Sequence, residues 1–345
     1  MSLESFLTRS WYGKHGWTNV FRPLQPIVKH CVENKRKAFL AFPERSYKAP
    51  VPVIVVGNIS VGGTGKSPMV DALCKLLINN GYRPGIVSRG HGVKVTSPIL
   101  LQEGSKASEV GDEPLMLARK TSRPVVVYPK RDLAVQHLLK HTNINIVISD
   151  DGMQHYQLDR DIEIAMLDAK RGVGNGQLLP VGPLREPIER LSTVDFVISV
   201  SRKITPQLSD IDTPVTLMPL VANDLINLHT GESWLSSQAF AENDNWHIVA
   251  GIGNPDRFLE TLSGLGLNAQ NSSHFWFDDH HDYQVEDIPN DKPVIMTEKD
   301  AVKCQAIGLT NKDTWYLPVS IDLPDGFQQA FLDKLKSIKV DTHHE

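Results

Sequence analysis

The run Val55-Val-Gly-Asn-Ile-Ser-Val-Gly-Gly-Thr-Gly-Lys-Ser67 sets three glycines, a lysine and a hydroxyl between an apolar stretch and a helical one. Residues of these types at this spacing hold phosphate. Gly62, Gly63 and Gly65 allow positive φ and let backbone N–H groups come close to phosphate oxygens. A helix opening at Lys66 adds the positive end of its dipole. The segment Ser60, Val61, Gly62, Gly63, Thr64, Gly65, Lys66 and Ser67 is therefore expected to cradle a nucleotide. Lys66 reaches toward the β- and γ-phosphates and the Ser67 hydroxyl ligates Mg²⁺. Pro68 fits the first helical turn. The strict pattern has glycine six residues before the lysine, where this chain has Ser60.

A magnesium nucleotide needs an acid near the metal. Ile144–Ser149 reads as a buried strand, and Asp150 and Asp151 follow it directly in Asp150-Asp-Gly-Met-Gln-His155. Ligands of parallel sheets bind beyond the carboxyl ends of the strands. One of the two aspartates is expected to hold Mg²⁺ or its water shell. Asp168 ends the next strand and reads as a solvated turn acid. No guanine-reading Asn-Lys-x-Asp motif is present, which favours ATP over GTP.

Other polar clusters are open to two readings. Asp112 lies in Val110-Gly-Asp-Glu-Pro114, where a helix N-cap is the natural local role. The cluster Asp278-Asp-His-His-Asp282 could bind a transition metal but lacks spaced partners, and His281 reads as structural or solvated. Gly251-Ile-Gly-Asn-Pro255 lacks the third glycine of a dinucleotide loop and reads as a strand-to-helix turn. Thr297 fits the cap of a helix over Glu298–Asp300.

These residues need a scaffold, and the 345-residue length suggests two domains. Apolar runs recur at Val51–Val56, Gly85–Ser88, Val125–Tyr128, Ile144–Ser149, Ile162–Leu167, Phe196–Ser201 and Val215–Leu220. Most are apolar at every position, as in strands buried on both faces. Helices are expected at Ser67–Asn79, Glu113–Arg119 and Asp132–Lys140. After a polar stretch at Val221–Asn245 the pattern restarts with strands His247–Gly251, Pro293–Thr297 and Trp315–Ile321. Helices follow from about Asp256 and over 326–338. The expected fold is α/β: a P-loop NTPase-like, mostly parallel sheet flanked by helices over residues 51–225, with a smaller α/β domain over 226–345. Residues 1–50 form an N-terminal amphipathic helical arm belonging to the first domain. The tail Asp341–Glu345 is expected to fray.

Composition narrows the setting. Hydrophobic residues are 41% and charged residues 22%, as in globular chains. Three scattered cysteines fit neither a disulfide framework nor a cysteine zinc site, and point to a reducing compartment. No apolar run is long enough to span a bilayer, and the N-terminus lacks the core of a secretion signal. The net charge of −4 hides an asymmetry, because residues 1–50 carry nine basic and three acidic side chains. Trp11, Trp17 and Phe21 fall at helical spacing among these cations. Such an arm suits an anionic membrane interface, and the rival reading is a helix packed on the protein core. No nucleic-acid partner is expected, and the chain is read as a monomer. Two functions compatible with these residues stand as alternatives: a regulatory P-loop ATPase of the dimeric class and a soluble small-molecule kinase. The former carries a second lysine where this chain has Val61.

Seven motifs in order are similar to those of one family. They are Gly57–Pro68, Ser88-Arg-Gly-His-Gly92, Val110–Pro114, Asp150–His155, Leu179-Pro-Val-Gly-Pro-Leu-Arg-Glu-Pro187, Phe277-Asp-Asp-His280 and Met296-Thr-Glu-Lys-Asp300. The chain resembles the tetraacyldisaccharide 4′-kinases of lipid A biosynthesis, from the basic arm to about Lys303. The resemblance implies Mg²⁺-dependent transfer of the ATP γ-phosphate to the 4′-hydroxyl of a lipid-linked disaccharide 1-phosphate. It also implies a peripheral enzyme on the cytoplasmic face of the inner membrane, with its active site between two α/β domains. It makes Asp112 the catalytic base and His280 its partner, and puts Asp150, Asp151 and Glu186 around the metal. Arg131, Gln154, His155 and Arg185 line the site by the same resemblance. His91 departs from it, since tyrosine usually follows Ser-Arg-Gly.

Overall fold

The computed structural model describes residues 7, 10–13, 16–209 and 211–338. Eight strands form the larger sheet: β1 (Val53–Gly57), β2 (Pro84–Ser88), β3 (Ile99–Leu100), β4 (Val125–Val127), β5 (Ile146–Asp150), β6 (Ile162–Leu167), β7 (Phe196–Ser199) and β8 (Val215–Leu217). Their order is β3-β4-β2-β5-β1-β6-β7-β8. All neighbours are parallel except β3 with β4. Strands β1, β2, β5 and β6 are buried at every residue. That burial explains their unbroken apolar runs, because helices cover both faces.

Register places the chemistry. Val56 of β1 pairs with Asp150 of β5, so the acid ends its strand beside the start of the glycine-rich turn. Val87 of β2 pairs with Ser149, which brings Ser88 level with Asp150 from the other side. Helix α1 (Gln25–Ala41) belongs to the arm. Helix α2 (Lys66–Asn79) follows the turn, and α3 (Asp112–Thr121) and α4 (Arg131–His141) lead into β4 and β5.

Two expected strands are each cut in two by a proline. Val215–Leu220 divides at Pro219 into β8 and β9 (Leu220–Ala222). Trp315–Ile321 divides at Pro318 into two pieces belonging to different sheets. Between the cuts lies a six-stranded sheet of β10 (Leu225–Asn227), β11 (Ser233–Trp234), β12 (His247–Ala250), β13 (Ser273–Trp276), β14 (Val294–Thr297) and β15 (Thr314–Leu317). Its order is β11-β10-β15-β14-β12-β13. The final strand β16 (Val319–Ile321) pairs antiparallel with β9, so both crossings between the sheets share one two-stranded ribbon. Proline has no N–H to continue a ladder, and each break falls where the chain changes sheet.

Helices α5 (Pro255–Gly264) and α6 (Glu298–Cys304) belong to the smaller sheet. The last helix, α7 (Asp325–Ser337), does not stay there, although it was expected within the 226–345 unit. Its Phe327, Phe331 and Leu335 are buried in the core formed by Ile54, Leu73, Leu77 and Ile198 of the larger sheet and α2. The tail Asp341–Glu345 lies outside the described residues.

The arm begins in helical geometry at residues 10–12, continues as a 3₁₀ turn over Trp17–Leu24, and passes into α1. Leu3, Phe6, Arg9 and Lys14 lie outside the described residues. Trp11 corrects the membrane assignment. It is only 6% exposed, and its indole N–H donates to the Pro180 carbonyl at 3.1 Å. Thr18 is also buried and donates to the Val181 carbonyl. Trp17, Val20, Phe21, Leu24 and Ile27 are exposed instead.

Candidate active site

The phosphate cradle has the backbone its sequence requires. Gly62 has φ 110° and Gly65 φ 86°. A Cβ on Gly65 would also fall 2.7 Å from the Val200 side chain, so no other residue fits there. One expected contribution is spent elsewhere, since the Val61 N–H donates to the Pro183 carbonyl at 2.9 Å. Ser60 forms a bridge with Leu184, and both residues brace the turn on the segment before Glu186. Asn58 Nδ2 donates to the Gly62 carbonyl at 3.3 Å. The Thr64 hydroxyl is buried with no partner.

Lys66 Nζ lies 3.5 Å from Asp151, which also accepts from the Arg185 guanidinium at 3.0 Å. Burial pushes the Asp151 carboxyl up, but the Lys66 and Arg185 charges outweigh it and hold it below the usual carboxylate range. Asp151 has φ 49°, a conformation that turns it out of strand β5. Asp150 is the opposite case. Ser88 Oγ donates to its Oδ2 at 3.2 Å, and its Oδ1 is buried without a partner. Burial, then the charges of Glu113 and Asp151, push its pKa up to about 7. A buried carboxylate oxygen that lacks a hydrogen-bond partner, beside a glycine-rich turn, is suited to a divalent cation. Asp150 and Asp151, with Ser67 in the first turn of α2, fit Mg²⁺.

Arg131 is wholly buried and donates to the carbonyls of Asp150 and Tyr128, locking the end of β5 to the start of α4. Burial lowers its pKa to about 10. His155 is partly buried, and burial with the Arg131 and Arg89 charges lowers it to about 3, so it is neutral. Glu186 departs from the expected metal shell in this structure. Its carboxylate accepts from Tyr156 Oη and from Gln154 Nε2, and Arg190 lies at 3.6 Å. Gln154 also donates to the Asn58 carbonyl at 3.1 Å. Glu186 and Gln154 thus brace the base of the cradle.

A second group of polar side chains joins the two sheets. Asp112 is the first residue of α3, and the cap position belongs to Gly111. Gly111 has φ 91°, and a Cβ there would meet the His91 carbonyl at 3.2 Å. The Asp112 side chain faces His280, whose Nδ1 lies 3.0 and 3.1 Å from the two carboxylate oxygens. His280 sits in the loop after β13 with φ 62°. The hydrogen bond to Asp112 raises its pKa. Burial pushes Asp112 up, but the His280 hydrogen bond and the Lys299 charge hold it below the usual carboxylate range. The His91 ring lies against the His280 ring with centroids 4.8 Å apart.

Lys299 was not singled out from the sequence. Its Nζ lies 2.9 Å from Asp279, 3.4 Å from Glu113 and 3.7 Å from Asp112. Burial lowers its pKa, but the surrounding carboxylates more than reverse this and keep it charged. Thr297 caps α6 as expected, and that local role masked the lysine two residues on. Glu113 links the halves of the site, because its charge acts on both Asp150 and Lys299. His281 pairs with Asp287, and no cluster of three or more metal-ligating side chains occurs among the described residues.

A glycine-rich turn between a parallel strand and a helix, with acids on the adjoining strand, defines a P-loop NTPase-like α/β protein. Sequence comparison carries this to a family. The model described as tetraacyldisaccharide-1-P 4′-kinase matches residues 17–336, and the chain belongs to that family. It is 42% identical over 338 residues to a tetraacyldisaccharide 4′-kinase of Pseudomonas syringae pv. tomato, covering 97% of this chain and 98% of the relative. It is 42% identical over 331 residues to the enzyme of that name from Legionella pneumophila (strain Corby), covering 95% and 97%. A crystal structure of LpxK from Aquifex aeolicus in complex with ATP superposes with a TM-score of 0.76 at 25% identity, covering 92% of this chain and 99% of that one.

Proposed function

We propose that the protein transfers the γ-phosphoryl group of ATP to the 4′-hydroxyl of a tetraacyldisaccharide 1-phosphate, giving the bisphosphorylated lipid A precursor. Family membership supports the reaction. The observation that carries the mechanism is the 3.0 Å contact between Asp112 and His280, beside a P-loop.

Phosphoryl transfer to an alcohol needs in-line positioning, charge neutralisation and a proton acceptor. The free N–H groups of the turn, with Lys66 and Arg185, bind the polyphosphate. Ser67, Asp150 and Asp151 hold Mg²⁺, which supplies charge neutralisation on the phosphate oxygens. Asp112 is ionised at neutral pH and accepts the 4′-hydroxyl proton as the oxygen–phosphorus bond forms and the β–γ bridge breaks to release ADP. With Nδ1–H donating to Asp112, His280 fixes the carboxylate and leaves Nε2 toward Lys299 Nζ at 3.4 Å. A carboxylate with so low a pKa is an intrinsically weak base, so its value lies in orientation.

The substrate's acyl chains belong in a bilayer, and the exposed stripe Trp17–Ile27 supports peripheral contact with an anionic membrane surface, on the cytoplasmic face of the inner membrane. No described helix is long and apolar enough to cross a membrane. A regulatory ATPase has no need of the Asp112–His280 pair. The test is incubation with ATP, Mg²⁺ and a tetraacyldisaccharide 1-phosphate in mixed micelles. A product heavier by one phosphoryl group supports the proposal, and ATP hydrolysis without that product overturns it.

A further inference from the structure

Arg171 lies in the loop after β6, outside every motif used above. Its backbone N–H donates to Asp168 Oδ1 at 2.8 Å, and Asp168 Oδ2 in turn accepts from Arg257 of α5 at 3.2 Å. This tie fixes the Arg171 backbone, and the side chain lies against Gly62 of the glycine-rich turn. A Cβ built on Gly62 would lie 3.0 Å from the Arg171 guanidinium. The guanidinium also lies 5.4 Å from the Tyr12 ring centre and donates a long hydrogen bond, 3.4 Å, to the Gly253 carbonyl. Gly253 belongs to the Gly251–Pro255 turn of the smaller sheet, which has no other role in the mechanism.

Charge balance sets Arg171 apart from Lys66, Arg185 and Arg131. Lys66 and Arg185 both pair with Asp151, and Arg131 is turned onto backbone carbonyls. Arg171 forms no ion pair among the described residues. A half-buried guanidinium without a counter-ion, against a positive-φ glycine of the glycine-rich turn, is suited to an anionic oxygen. The buried, unpartnered hydroxyl of Thr64 in the same turn adds a second vacant polar group.

We infer that Arg171 binds the polyphosphate of the nucleotide held by the P-loop, and so links nucleotide loading to the Gly251–Pro255 turn of the smaller sheet. The inference rests on the nucleotide half of the proposed function and is independent of the acceptor. The long contact to Gly253 is weak enough to be exchanged for a charge-assisted one.

The test is equilibrium binding of ATP–Mg²⁺ to wild type, Arg171→Gln and Arg171→Lys by calorimetry, with adenosine as control. Arg171→Gln keeps a donor for Gly253 but removes the charge, and should weaken ATP by at least about tenfold while leaving adenosine unchanged. Arg171→Lys should recover part of the loss. Unchanged ATP affinity in folded Arg171→Gln overturns the inference, whereas failure of wild type to bind ATP overturns the P-loop reading itself. Should Arg171→Gln not fold, phenylglyoxal labelling of wild type replaces it. ATP should protect Arg171 from modification, and equal labelling with and without ATP overturns the inference.

Discussion

Asp112 at the start of α3 and His280 in the loop after β13 are 168 residues apart and meet at 3.0 Å, so the proposed acceptor site exists only when both sheets are assembled. Asp112→Asn preserves the side-chain shape but cannot take the hydroxyl proton. Turnover should fall by ~10²–10⁴-fold with ATP affinity retained. His280→Ala acts on the same step, so the double variant should lose less than the product of the single losses. Steady-state kinetics of the four proteins checks both points. Independent, multiplying effects would separate the two residues.

Asp150 gives a pH signature. Its folded pKa, pushed up to about 7, lies above the ordinary carboxylate value. Between those two values the folded protein holds a proton that the unfolded chain has lost, so this group makes stability fall as pH rises through that window. Asp150→Asn should raise the melting temperature of the nucleotide-free protein at pH 8 and flatten its decline between pH 5 and 8. The same variant should lose Mg²⁺-dependent turnover. Mg²⁺ should stabilise wild type more at pH 8 than at pH 5, and the Asn variant little at either. Thermal melts across pH, with and without Mg²⁺, read all of this.

In the arm, tryptophans at helical spacing behave differently. Trp11 is buried and hydrogen-bonded to Pro180, whereas Trp17 and Phe21 are each 37% exposed and pack edge to face. Trp11→Ser should lower the melting temperature. Trp17→Ser with Phe21→Ser should weaken sedimentation with anionic vesicles and raise KM for the lipid acceptor more than for ATP, whereas Trp11→Ser should do neither in the protein that remains folded. Added salt should weaken wild-type binding without abolishing it, since charge is screened and apolar burial is not.

Helix α7 closes the larger core from the far end of the chain. Phe331 is fully buried there, beside Phe327 and Phe196. Phe331→Ala should destabilise the protein by about 3–5 kcal/mol, measured by urea unfolding. ATP binding should weaken together with global stability at intermediate urea, because the helix shares its core with α2. Loss confined to the smaller sheet would contradict this placement.

Strands buried on both faces were legible as apolar runs, and the cradle was legible because glycine, lysine and hydroxyl stand in fixed register. Other features depend on distant partners. The stripe of Trp11, Trp17 and Phe21 specifies an apolar helix face, but it does not specify whether protein or lipid covers it. The periodicity of α7 marks an inward face without naming the sheet it covers. Pro219 and Pro318 were visible, yet only pairing of β9 with β16 reveals that each marks a change of sheet. Lys299 lies inside a conventional helix start, and its role comes from Asp112 and Asp279, carried by other segments. Asp112 has a satisfactory local explanation as a cap until His280 arrives from the second sheet.

The central claim is transfer to one oxygen of the acceptor, and an acceptor lacking that oxygen tests it most directly. The protein is incubated with γ-labelled ATP, Mg²⁺ and either tetraacyldisaccharide 1-phosphate or its 4′-deoxy analogue, and the lipid products are analysed by mass spectrometry. The native acceptor should gain one labelled phosphoryl group on its 4′-oxygen, and the deoxy analogue should bind competitively and gain none. Equal labelling of both lipids, or label appearing only as free phosphate, would contradict the assignment.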